Sequence, residues 1–122
     1  MANILIADDD PILMDLYRLK FTKKNHVVRP APNREALFKE LKGQKPDIIL
    51  LDRRLGESDG LELLAEIRKE DQSKSVPVFM LTNMEPSAED IATVEKLGPA
   101  KYFIKERVDL DDLNKVIEET VK

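Results

Sequence analysis

Five side chains in this sequence could do together what none could do alone. Asp8 and Asp9 end the apolar run Ile4-Leu5-Ile6-Ala7, Asp52 ends Ile48-Ile49-Leu50-Leu51, Thr82 ends Val78-Phe79-Met80-Leu81, and Lys105 ends Tyr102-Phe103-Ile104. Two acids on one strand and a third on its neighbour would form an oxygen-rich pocket for a hard cation. Mg²⁺ suits it, because it takes a few carboxylates and keeps several waters. An ammonium and a hydroxyl complement an anion that joins the metal. A metal, an ammonium and a hydroxyl around one carboxylate are the apparatus of phosphoryl transfer, where catalysis is mostly positioning and charge neutralisation.

The elements that carry these residues must bring them to one place. Each apolar run is too short for a helix and does not alternate, which predicts strands buried on both faces of a parallel sheet. Helical patterns stand between them. Asp10 caps a first helix from about Pro11 to Lys23, with Pro11 at the first position and Leu13, Leu16, Tyr17 and Phe21 at helical spacing. His26-Val27-Val28-Arg29 reads as a short second strand, with His26 exposed at its edge. Asn33 starts a second helix with Ala36, Leu37 and Leu41 inward, ended by Gly43. The run Ile48-Ile49-Leu50-Leu51 before Asp52 is the third strand, and Arg53 to Gly60 is a loop by its Gly, Ser and Asp content.

Asp59 caps the third helix, with Leu61, Leu64 and Ile67 inward. Val76 to Leu81 is the fourth strand, with Pro77 near its start. Pro86 or Ser87 starts the fourth helix, with Ile91, Val94 and Leu97 inward and Gly98-Pro99 as its stop. Asp109 caps the fifth, with Asp112 completing a variant capping box and Leu113, Val116 and Ile117 as its buried stripe. Strand and helix thus alternate five times, which predicts an α/β fold: a five-stranded parallel sheet, order 2-1-3-4-5, doubly wound by five helices. All the strand ends that carry the five side chains then lie on one edge. The switch point between strands 1 and 3 is where such sheets bind ligands.

Composition narrows the field. A length of 122 residues suits one domain spanning the chain. The net charge of −4 disfavours a nucleic-acid surface, which needs clustered Lys and Arg. There is no cysteine, hence no thiolate metal site and no thiol nucleophile, in keeping with a reducing cytoplasm. No basic segment precedes a long apolar run at the N-terminus, and the longest apolar stretch, Val76 to Leu81, is far too short to span a membrane.

Four motifs in order, Ile4 to Pro11, Leu50-Leu51-Asp52 with Asp59-Gly60, Val78 to Thr82, and Tyr102 to Lys105, make the chain resemble the response-regulator receiver domain of two-component signalling, from Asn3 to about Val121. The resemblance implies that Asp52 is a phosphoacceptor, attacking a phosphoryl group held on a histidine of a sensor kinase or a histidine phosphotransfer protein. Asp9 and Asp52 would bind Mg²⁺ directly with the backbone carbonyl of Arg54, and Asp8 mainly through water. Lys105 would pair with the phosphoryl oxygens. Thr82 would hydrogen-bond the phosphoryl group and move toward it, and Tyr102 would turn inward as the aromatic switch. The face of helix 4, strand 5 and helix 5 would then change for a downstream partner or for a phosphorylation-dependent homodimer. Such a domain is a switch that catalyses its own phosphorylation and dephosphorylation, not a conventional enzyme. The chain stops at the fifth helix, which leaves no room for a DNA-binding output domain. A stand-alone receiver like the chemotaxis regulators and a receiver excised from a longer protein both fit.

Some residues have plainer readings. Asp10 is a helix cap, and Lys23-Lys24 a solvated helix end. Taken singly, Thr82 fits a strand by propensity and Tyr102 a core. Three positions depart from the family pattern: Gly56 and Glu106 stand where proline is common, and Asn83 where a small residue usually follows the Thr. Without proline after Lys105, a cis peptide there is disfavoured by ~2.5–4 kcal/mol. Two other functions compete. A degenerate receiver would bind partners without phosphorylation, but retention of Asp8, Asp9, Asp52, Thr82 and Lys105 argues against it. A flavodoxin-like FMN carrier would need a hydroxyl- or Gly-rich loop after the first strand, where this chain has three aspartates that would repel phosphate.

Overall fold

The computed structural model describes residues 2–122. Twelve elements follow in order: β1 (Asn3–Ala7), α1 (Pro11–Lys23), β2 (Val27–Ala31), α2 (Arg34–Gly43), β3 (Ile48–Asp52), β4 (Arg54–Leu55), β5 (Ser58–Asp59), α3 (Gly60–Lys69), β6 (Val78–Thr82), α4 (Ala88–Lys96), β7 (Ala100–Ile104) and α5 (Leu110–Thr120). The main sheet is parallel throughout, in the order β2-β1-β3-β6-β7. With β6 and β7 as the fourth and fifth long strands, this is the expected 2-1-3-4-5. The stretch after Asp52 is not a plain loop: β4 and β5 pair as a small antiparallel hairpin around Gly56, whose φ is +61°. Two-residue strands carry no periodicity from which to read them.

Strand alternation divides the core in two. Ile4, Ile6, Ile48, Leu50, Phe79 and Leu81 face α1 and α5, where Met14, Tyr17, Phe21, Leu113 and Ile117 meet them. Leu5, Ala7, Ile49, Leu51, Val78 and Met80 face the other way, toward Leu37 and Leu41 of α2, Leu63, Leu64 and Ile67 of α3, and Val94 of α4. Successive side chains on a strand point to opposite faces, so a continuously apolar strand feeds both cores.

Several expectations need correction. Leu16 and Ile91 lie outward. On α1 the buried stripe is Met14, Tyr17 and Phe21, which leaves Ile12, Leu16 and Leu19 together on the opposite, exposed face. The helix is apolar on both sides, so spacing alone could not choose between them. On α4 only Val94 is fully buried. The capping box forms at α4, not α5: Ser87 Oγ accepts the Asp90 N–H and Asp90 Oδ2 accepts the Ser87 N–H. Asp109 caps α5 through the Asp111 N–H instead.

His26 is buried, not exposed at a strand edge. It precedes β2, and its ring lies edge-on to Phe21. Its Nδ1 accepts the Ala2 N–H at 3.0 Å, and its Nε2 lies 2.8 Å from Asn114 Oδ1 on α5. An accepting Nδ1 fixes the tautomer, with the proton on Nε2 and directed at Asn114. The polar atoms on α5 that satisfy the imidazole come from 88 residues away in sequence, which no local pattern reveals.

Candidate phosphoacceptor site

The register of the parallel sheet aligns the strand ends. Ala7 lies beside Leu51, Asp52 beside Leu81 and Thr82 beside Ile104. Asp8 therefore leaves β1 next to Asp52 on β3, and Lys105 leaves β7 next to Thr82 on β6. Two backbone bonds extend the ladders past the strands: Arg53 N–H to Leu81 O at 2.8 Å and Lys105 N–H to Thr82 O at 2.7 Å. Lys105 Nζ then reaches across the sheet edge and lies 3.1 Å from Asp8 Oδ2 and 3.1 Å from Asp52 Oδ2. The three side chains are 1%, 14% and 10% exposed for Asp8, Asp52 and Lys105.

The remaining carboxylate oxygens are also held. Asp8 Oδ1 accepts the Asp10 N–H, and Asp10 in turn caps α1 through Ile12 and Leu13. Asp52 Oδ1 accepts the Arg54 N–H at 3.2 Å. Asp9 is exposed, and its Oδ2 accepts the Gly56 N–H at 3.0 Å, tying the loop after β1 to the β4–β5 hairpin. One carboxylate oxygen from each of Asp8, Asp9 and Asp52 lies within 4.8 Å of the others. Three acids that close, with one at the solvent side, fit a hard divalent ion that keeps part of its water.

The electrostatics reflect burial and crowding. Burial pushes the Asp52 carboxyl above its ordinary value, opposed by the Lys105 charge and the Arg54 N–H and reinforced by the Asp8 charge. Burial acts to lower the Lys105 ammonium, but the charges of Asp52 and Asp8 and their hydrogen bonds outweigh it and hold Lys105 above its ordinary value. The phenol of Tyr17, buried beneath the site, is pushed up by burial and then by Asp8, Asp52 and Asp10.

Beside Asp52 lies an open pocket of about 330 Å³ whose walls include Arg53, Arg54, Thr82, Met84, Asp90 and Tyr102. Thr82 is buried, and its Oγ1 accepts the Met84 N–H at 3.3 Å. Tyr102 is half-buried against the core under α4 and faces both this pocket and the grooves over β7. The Lys105–Glu106 peptide is trans, as expected without proline. Sequence reasoning brought Asp8, Asp9, Asp52, Thr82 and Lys105 to this edge, read Arg53 and Arg54 only as two positive charges beside the acid pocket, and assigned nothing to Gly60. Arg53 Nη1 donates to Asp59 Oδ1 at 2.6 Å, and its Nη2 lies 3.5 Å from Asp90 Oδ1. Its position next to Asp52 was the available signal.

Comparison with known proteins agrees with this geometry. The family described as "Response regulator receiver domain" matches residues 4–118. The chain is 31% identical over 121 residues to the transcriptional regulatory protein GlrR of Escherichia coli K12, covering 99% of this chain and 26% of GlrR. It is 32% identical over 118 residues to the nitrate/nitrite response regulator NarL of the same strain, covering 95% of this chain and 53% of NarL. The chain thus spans from a quarter to about half of these two relatives. Among solved structures, the chemotaxis protein CheY4 of Vibrio cholerae superposes with a TM-score of 0.88 at 22% identity, over 98% of each chain. The BeF3-activated N-terminal receiver domain of Klebsiella pneumoniae RstA superposes with a TM-score of 0.84 at 24% identity, again over 98% of each. At these identities the structural likeness speaks to the fold alone, whereas the family match extends over nearly the whole sequence. The chain belongs to the response-regulator receiver-domain family.

Proposed function

We propose that this receiver is an active phosphoacceptor switch and that Asp52 is the acceptor. The observation that carries the reading is the double contact of Lys105 Nζ with Asp8 and Asp52 at the carboxyl edge of the sheet. A merely solvated lysine would not sit 10% exposed between two carboxylates. In the transfer, an Asp52 carboxylate oxygen attacks the phosphorus of a partner's phosphohistidine. The new O–P bond forms as the P–N bond breaks, and the departing nitrogen keeps the electron pair. Lys105 neutralises phosphoryl oxygens as they approach, giving up its hold on the carboxylate that reacts. Thr82, freed from the Met84 N–H, donates its hydroxyl to the same group. In hydrolysis, water attacks phosphorus, the O–P bond to Asp52 breaks and inorganic phosphate leaves.

Asp9 and Asp52 would ligate Mg²⁺ directly with the Arg54 carbonyl, while Asp8 would act through water. The ion, when bound, neutralises phosphoryl charge that Lys105 alone cannot offset. The phosphodonor is a sensor histidine kinase or a histidine phosphotransfer protein. The apolar side chain of Met84, 75% exposed in the pocket wall, suits docking at this rim. Inward rotation of Tyr102 would then reshape the face of α4, β7 and α5 for a downstream partner or a second copy. The whole chain acts as one such domain in the cytoplasm.

A small acyl-phosphate donor with Mg²⁺ should add one phosphoryl mass to the intact protein, and Asp52→Asn should abolish it. An unmodified wild-type protein would support the alternative of a phosphorylation-independent binding module. An unchanged mass gain in Asp52→Asn would move the acceptor elsewhere.

A further inference from the structure

We infer that Arg53 is the positioning residue that ties helix α4 to the acceptor, and that phosphorylation releases this tie. The inference rests on Asp52 being the phosphoacceptor. Arg53 follows Asp52 directly and forms part of the same pocket wall. Its guanidinium bridges two acids from two different helix starts. Asp59 is the N-cap of α3, and its Oδ1 both caps Leu61 and accepts from Arg53 at 2.6 Å. Asp90 stands in the first turn of α4, where its Oδ2 completes the capping box with Ser87 and its Oδ1 lies 3.5 Å from Arg53 Nη2. Arg53 therefore reaches from the end of β3 to the first turns of both helices.

The two contacts are unequal. The Asp59 contact is a short charge-assisted hydrogen bond, whereas 3.5 Å to Asp90 is an ion pair without hydrogen-bond geometry. Arg53 and Asp90 are 29% and 25% exposed, so the pair is only partly screened by water. A phosphoryl group on Asp52 replaces a single negative charge by about two and adds strong acceptor oxygens next to Arg53. A guanidinium prefers such planar, multidentate anion contacts. The weaker contact, to Asp90, yields first. Asp90 keeps its box with Ser87, so α4 stays capped as a helix but loses its tether to β3. Half-buried Tyr102 lines the same pocket and comes under the Coulomb influence of both Arg53 and Asp90. The swing of Arg53 opens space on its side of the ring.

The test is NMR of backbone amides at saturating beryllofluoride and Mg²⁺, a mimic of the acyl phosphate. In the wild type, the mimic should shift the amides of Asp52 and Lys105 and also those of Ser87 through Val94. In Arg53→Gln, the α4 amides should start near their mimic-bound positions and lose most of their response, while those of Asp52 and Lys105 still move. Asp90→Asn, which cuts the same tie from the other end without touching Arg53, should behave alike. Arg53→Lys, which keeps the charge but not the fork, should retain part of the response. A full α4 response in Arg53→Gln and Asp90→Asn would overturn the tether while leaving the acceptor intact. A wild type whose Asp52 and Lys105 amides do not move would overturn both.

Discussion

Gly60 lies so close to Asp52 that a Cβ on it would sit 2.4 Å from the Asp52 carbonyl oxygen. The same Cβ would lie 2.8 Å from Arg53 Cα and 2.9 Å from Arg53 O, and the Gly60 N–H already donates to Arg53 O at 2.6 Å. All three neighbours are backbone, so no side chain can swing aside. The first residue of α3 is thus packed directly on the strand that carries the acceptor. Gly60→Ala should push strand and helix apart, costing about 1–3 kcal/mol and lowering the melting temperature by roughly 5–15 °C. Mass spectrometry after acyl-phosphate treatment should also show slower phosphorylation, because Asp52 moves with its backbone. An unchanged melting curve would mean the contact relaxes at little cost.

His26 should prove structural. His26→Ala leaves the Ala2 N–H and Asn114 Oδ1 without their partners in a buried setting, so it should destabilise the fold by at least about 2 kcal/mol. Urea unfolding of wild type and variant measures the difference. A midpoint within error of wild type would show that water or a side-chain shift replaces both bonds.

Asp9 sets up two opposed effects. Asp9→Asn removes one of three crowded charges but keeps a carbonyl oxygen to accept the Gly56 N–H at 3.0 Å. Two like charges about 4 Å apart repel by ~1 kcal/mol in water and by ~4 kcal/mol at an effective dielectric of 20. The variant should therefore melt higher than wild type in chelator. Mg²⁺ should raise the wild-type melting temperature, by the equivalent of about 2.7 kcal/mol at a hundredfold excess over its dissociation constant, and should raise the variant far less. A full Mg²⁺ response in the variant would remove Asp9 from the ligand set.

The pH dependence follows from the signs at Asp52 and Lys105. Asp52 is raised in the fold, chiefly by burial. Its contribution to stability is present below its unfolded value, about 4, and is lost as pH rises through the higher folded value. Lys105, raised by its two carboxylates against the effect of burial, stabilises fully below its unfolded value, about 10.4, and loses that contribution as pH rises through its folded value. Chelated melting curves should therefore show Asp52→Asn flattening the decline just above pH ~4, and Lys105→Met flattening the alkaline decline. A wild type and Asp52→Asn that run parallel across the acidic range would contradict the Asp52 assignment.

What the sequence alone decided about this protein was the fold and which chemical groups meet. Four continuously apolar runs, each ended by an acid, a hydroxyl or a lysine, can only be buried strands. A parallel sheet then delivers Asp8, Asp9, Asp52, Thr82 and Lys105 to one edge whatever the details of packing. Helix starts at Asp10, Asn33 and Asp59 were legible because capping is local chemistry. Tertiary structure decided the rest. α1 is apolar on both sides, and only the position of the sheet selects Met14 over Leu16. The polarity around His26 comes from the Ala2 backbone just before β1 and from α5, so its burial had no local signature. Arg53 looked like one of two charges beside an acid pocket. Only the packing of α3 and α4 on β3 brings Asp59 and Asp90 to either side of its guanidinium, because pairing across distant elements depends on three-dimensional register that no run of neighbouring residues encodes.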